Sequence, residues 1–187
     1  MSERRVVITG LGVVSPLGNS KEDFWKNLVS GKSGIRRIQS MDTTNYDCKI
    51  GGEVVDFDPT PFFNNHKEAR RADRFFQFGM AAAKMAVKDS GLNPDSEDPH
   101  RVGIMVGSGI GGLGTLENQY QILLEKSPSR VSPFLIPMMI TNIASGMIAG
   151  EYGFMGPNMV VVTACATSNN NIGEAWRIIK FGDADCM

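Results

Sequence analysis

Residues 159–180 read MVVVTACATSNNNIGEAWRIIK. An apolar, β-branched run ends at Ala164, a single cysteine follows, and small polar residues then lead into a stretch with helical spacing. The pattern predicts a strand, a tight turn at Cys165 and a helix continuing to Lys180. A side chain at such a turn projects from the rim of a sheet. The unsatisfied N–H groups and the positive dipole end of the helix favour a thiolate held there. The same groups can donate to an oxyanion when that sulfur attacks a carbonyl. The commonest fate of a free cysteine is a small buried hydrophobe. That plainer reading holds for Cys48, in an irregular region, and for Cys186, within a terminal strand.

Outward from this block, RRVVITG (Arg4–Gly10) and RVGIMVG (Arg101–Gly107) read as two more buried strands, with a short one near Ile50–Val55. Helical stretches separate them. Ser20 caps the first, with a stripe of Phe24, Trp25, Leu28 and Val29 and a stop at Gly31. A long helix is expected from Lys67 to Ser90, with Phe75, Phe76, Met80, Ala83 and Val87 on its buried face. Another runs from about Thr115 to Lys126. Pro137 opens an apolar helix whose Ala144, Ser145, Gly146, Ala149 and Gly150 suit close packing. Strands apolar on both faces and separated by helices imply an α/β fold, its parallel or mixed sheet covered on each side. The closing FGDADCM enters what reads as a further strand, so the chain is expected to be a fragment of a larger domain.

With 187 residues, 42% of them hydrophobic, the chain can bury a core without staples. Its 19 Lys and Arg against 20 Asp and Glu argue against nucleic acid, which calls for a basic excess. The start MSERRVVITG has no apolar signal region, and no run approaches the ~18 apolar residues of a membrane span. Three cysteines without paired or metal-type spacing imply reduced thiols in a cytoplasmic setting and no metal site. Glycines 107, 109 and 112 fit G-x-G-x-x-G, as do 109, 111 and 114. A dinucleotide fold needs a second strand ending in an acid about 20 residues on, and SPSRVSPFLIP supplies none. The glycines therefore read as close backbone packing beside a pocket. Both histidines, His66 and His100, stand among polar neighbours and read as ordinary exposed residues. Four cations at the expected helix start (Lys67, Arg70, Arg71, Arg74) oppose its dipole. They are either a solvated run or kept for an acidic partner.

Four segments together resemble the β-ketoacyl-[acyl-carrier-protein] synthases, and among them the type II enzymes of fatty-acid elongation. They are RRVVITGLGVVSPLGN, GSGIGGLG, VSPFLIPMMITNIASG and GPNMVVVTACATSNNNIGEAWRIIKFGDAD, spread over the whole chain. One departure is Ser168-Asn169, where the family often has glycine and then a small residue. The resemblance implies a thiolase-like layered α/β/α/β/α architecture, of which residues 1–187 are the N-terminal half. Cys165 is then the acyl acceptor and its N–H one oxyanion donor. Ile110 and Leu135 match acyl-pocket positions, and Lys67, Arg70, Arg71 and Arg130 match the surface that receives acyl carrier protein. The substrates implied are acyl and malonyl thioesters, with no cofactor, in a homodimer. The family's two malonyl-binding histidines lie in its other half. One oxyanion donor alone is worth roughly 3 kcal/mol of barrier, so the chain by itself is not expected to complete condensation. The alternative is a non-catalytic scaffold subunit, against which the presence of Cys165 counts. A nucleotide-dependent oxidoreductase is the third class, and it predicts NAD(P)H binding.

Overall fold

Ser20 starts the first helix as its sequence dictates: the hydroxyl accepts the Asp23 N–H at 3.1 Å and α1 runs over Lys21–Val29. The structure, a computed structural model, describes residues 4–187. The expected apolar stripe of α1 is largely uncovered, with Trp25 63% and Val29 62% exposed. The strand expected near Ile50–Val55 is two residues long. β1 (Arg36–Arg37) pairs with β2 (Ile50–Gly51) antiparallel, Arg36 opposite Gly51.

The long helix expected over Lys67–Ser90 is two helices. α2 spans His66–Arg71 and α3 Arg74–Ser90, because the Asp73 carboxylate caps α3 by accepting the Phe75 N–H. The division relieves the electrostatic anomaly for two of the four cations, while Lys67 stays in the first turn of α2 and Arg74 opens α3. Glu68 lies in the first turn of α2 and Arg70 and Arg71 in its last, where the dipole favours each. α4 spans Leu113–Glu125. The apolar helix expected after Pro137 is also divided, into α5 (Leu135–Met139) and α6 (Ile143–Tyr152). α7 spans Thr167–Phe181.

The three expected buried strands are extended but hardly laddered. Among the described residues, parallel pairing is confined to Val102 with Cys186 and Ile104 with Asn158. Residues 4–10 make no ladder, and Val7 and Ile8 are exposed. The segment's start is held by Arg4 on Asp185, and its end meets α3, where the Leu11 N–H donates to the Asp89 carboxylate at 3.0 Å. Gly12 permits the approach, since a Cβ there would strike the Ala82 backbone. At two points in the other two segments, Val106 and Val161, a buried side chain takes the backbone groups that a neighbouring strand would otherwise use.

The core forms where α3 packs on α6, through Phe76, Met80, Ala144 and Ile148, with Phe63 edge-on to Phe76 at 5.6 Å. Around it the chain exposes 12036 Å², whereas a compact monomer of 20.3 kDa exposes about 8,800 Å². Among the described residues, no helix is long and apolar enough to cross a membrane.

Candidate active site

A β-branched run cannot enter a helix without a turn, and here the turn falls at Cys165. It occupies a single 3₁₀ turn, Ala164–Ala166, directly before α7, and its side chain is exposed. Ala164 takes φ +50°, a left-handed conformation that costs an L-residue roughly 1–2 kcal/mol. The start of α7 carries no side-chain cap, so its N-terminal end is not closed off by a polar side chain beside the sulfur.

Four polar side chains hold this turn, none of which stood out in the sequence. The Thr163 N–H donates to Thr167 Oγ1 at 2.9 Å, and Asn170 Nδ2 donates to Thr163 Oγ1 at 2.6 Å. Asn171, 4% exposed, accepts the Val161 N–H at 3.1 Å and donates to the Val161 carbonyl at 2.7 Å. A signal for Asn171 did exist: it shares a helical face with buried Ile178, seven residues on. A polar residue on a buried face has a structural partner to find.

The glycine segment packs against this turn. A Cβ at Gly107 would strike Asn171 Nδ2 and Thr167 Cγ2, so a side chain there must push the Asn171 amide and the Thr167 methyl aside. Gly109 faces Ala164, with room for a Cβ only at contact distance, 3.4 Å from its carbonyl oxygen. The Gly112 N–H then donates to Met139 O at 2.9 Å, and Thr115 donates to Asp73 Oδ2 through both its N–H (3.1 Å) and its hydroxyl (2.5 Å). One loop thus runs from the cysteine turn past the end of α5 to the cap of α3.

Ile110 stands on that loop, one residue from Gly109, and is 69% exposed; Leu135 is half-buried as the first residue of α5. An apolar cleft of about 410 Å³ opens beside the loop, lined by Val13, Val14, Phe75, Phe78, Val106 and Gly107 among others. Neither Ile110, Leu135 nor Cys165 lines it.

The basic residues separate into two groups. Lys67, Arg70 and Arg71 are exposed on α2, and Arg130 is exposed at the end of the turn Pro128–Arg130. The Arg71 guanidinium lies 4.6 Å from the Phe134 ring centroid, which seats α2 against the segment carrying Leu135. Arg74 belongs to packing instead. It donates to Val54 O at 2.7 Å and covers the Phe78 ring at 4.5 Å, and burial pulls its pKa down. His66 and His100 are exposed. Among the described residues no group of three or more His, Cys, Asp or Glu could hold a metal ion.

Comparison with known proteins gives a consistent result. The family model described as beta-ketoacyl synthase, N-terminal domain, matches residues 3–187. The 3-oxoacyl-[acyl-carrier-protein] synthase 2 of Synechocystis sp. is 46% identical over 187 residues, covering 100% of this chain and 45% of that protein. The ishigamide ketosynthase/chain length factor superimposes with a TM-score of 0.88 at 31% identity, over 98% of this chain and 46% of that one. A type II PKS acyl-carrier protein in complex with its ketosynthase, bound to the hexaketide, gives 0.81 at 27% identity, over 97% and 49% of the respective chains. The fold is the thiolase-like one of the ketosynthases. The chain spans about half the length of the curated relatives it matches.

Proposed function

Because the chain belongs to the β-ketoacyl synthase family, we propose that it is the acyl-accepting, N-terminal domain of a condensing enzyme of fatty-acid elongation. The single observation that carries the reading is the exposed Cys165 on a strained turn at the uncapped start of α7, with the glycine loop packed against it.

The Cys165 sulfur attacks the thioester carbonyl of acyl carrier protein. A new S–C bond forms, the carrier's S–C bond breaks, and the carrier thiol leaves with the proton that Cys165 gives up. The Cys165 backbone N–H is one donor to the oxyanion of each tetrahedral intermediate. Malonyl carrier protein then loses carbon dioxide, and the carbanion attacks the Cys165 thioester. This releases the sulfur and leaves a 3-oxoacyl chain on the carrier. Ile110 and Leu135 contact the acyl chain in this scheme. Lys67, Arg70, Arg71 and Arg130 receive the acidic carrier, a role supported by their exposure and by the seating of α2 on Phe134. A cytoplasmic homodimer is the assembly we assign to it.

Exposure to an acyl carrier protein thioester, followed by digestion and mass spectrometry, tests the central step. The expected adduct is on Cys165 alone and is lost in Cys165→Ala. A folded wild-type chain that takes no acyl group, or takes it equally on Cys48, overturns the assignment.

A further inference from the structure

Two extended segments meet as a parallel pair at Ile104 and Asn158, and neither carries the ladder onward. Buried side chains explain why. Ser145, 0% exposed, takes both backbone groups of Val106, its hydroxyl accepting the N–H at 2.8 Å and donating to the carbonyl at 3.2 Å. Asn171 does the same at Val161, and its Nδ2 also donates to the Thr167 carbonyl at 2.6 Å. Both donor hydrogens and one acceptor site of the amide are thereby used.

These bonds tie residue 161, before the cysteine, to residue 167, after it. The five residues between them include Ala164, in its unfavourable conformation, and Cys165. A strained residue persists only where its surroundings over-determine it. We propose that Asn171 is the positioning residue for Cys165. It stands in for a neighbouring strand at Val161, locks that point to the first turn of α7, and so holds the sulfur at the helix start. Gly107 is its counterpart, since any side chain there would displace the amide. The role rests on the reading of Cys165 as the nucleophile.

Competitive alkylation of the intact chain with iodoacetamide tests it, with Cys48 as the internal reference. In the wild-type chain Cys165 reacts faster than Cys48. In Asn171→Ala, and in the milder Asn171→Ser, its advantage falls on the order of tenfold, while the Cys48 rate is unchanged. Gly107→Ala, which leaves Asn171 in the sequence, has the same effect. Folded variants that keep the full Cys165 advantage overturn the proposal. Hydrogen exchange of the wild-type chain decides the matter where the variants do not fold. The Val161 amide is expected to be protected, and exchange at the rate of a free peptide overturns the brace. A wild-type Cys165 that reacts no faster than Cys48 sinks the nucleophile reading instead, and Val161 exchange still tests Asn171 separately.

Discussion

Ala164 is the residue on which local strain concentrates. Its φ of +50° is one that glycine adopts freely and alanine does not. Ala164→Gly relieves that strain but adds freedom to the unfolded chain. The two effects are of similar size, so stability is expected to hold or to rise by up to about 1 kcal/mol. An ordinary Ala→Gly change lowers it. Urea unfolding measures the difference, and a clear loss of stability means the turn is not strained. Cys165 itself was legible from order alone: an apolar run, one cysteine and a helical stretch. Its clamp was not, because Thr163, Thr167, Asn170 and Asn171 read simply as a polar tract until the backbone groups they serve are known.

At the scale of elements, residues 101–104 and 183–186 are joined side by side. The Asp185 N–H donates to Arg101 O at 2.8 Å. The Asp185 carboxylate accepts from Arg101 Nε at 3.0 Å and from Arg4 at 2.8 Å. Arg101 first, and Arg4 second, hold this carboxyl far below the usual range. A carboxyl whose pKa is lowered by folding stabilises the fold at pH values above its unfolded pKa of about 3.9. That contribution disappears as pH falls from there through the lower folded value. Asp185→Asn is therefore expected to be the less stable chain at pH 7, with the two unfolding curves converging below about pH 4. A wild-type minus mutant difference that persists unchanged into acid contradicts the pairing. The group is exposed, so the effect is small and screened by salt. The same scale shows where helix periodicity misleads. Phe76 and Met80 mark the buried face of α3 correctly, but nothing in their spacing reports that Asp73 starts a new helix.

For the whole molecule the governing quantity is surface. The chain exposes about 3,000 Å² beyond a compact monomer of its mass, more than the roughly 1,000–2,500 Å² that each partner of an ordinary obligate dimer buries. Much of it is apolar: Leu116, Tyr120 and Leu124 on α4, Ile136 on α5, and Ile172 and Trp176 on α7 are all exposed. Sedimentation of the chain is expected to give twice 20.3 kDa, and a monomer at micromolar concentration contradicts the homodimer. Sequence alone settled what depends on neighbours along the chain: the Ser20 cap, the cysteine between an extended run and a helix, and the family motifs. Only the tertiary structure decided which backbone groups meet a strand and which meet a side chain. An extended run of valines offers the same N–H and C=O groups to either, and the choice falls to residues such as Ser145 and Asn171 that packing brings across from another helix.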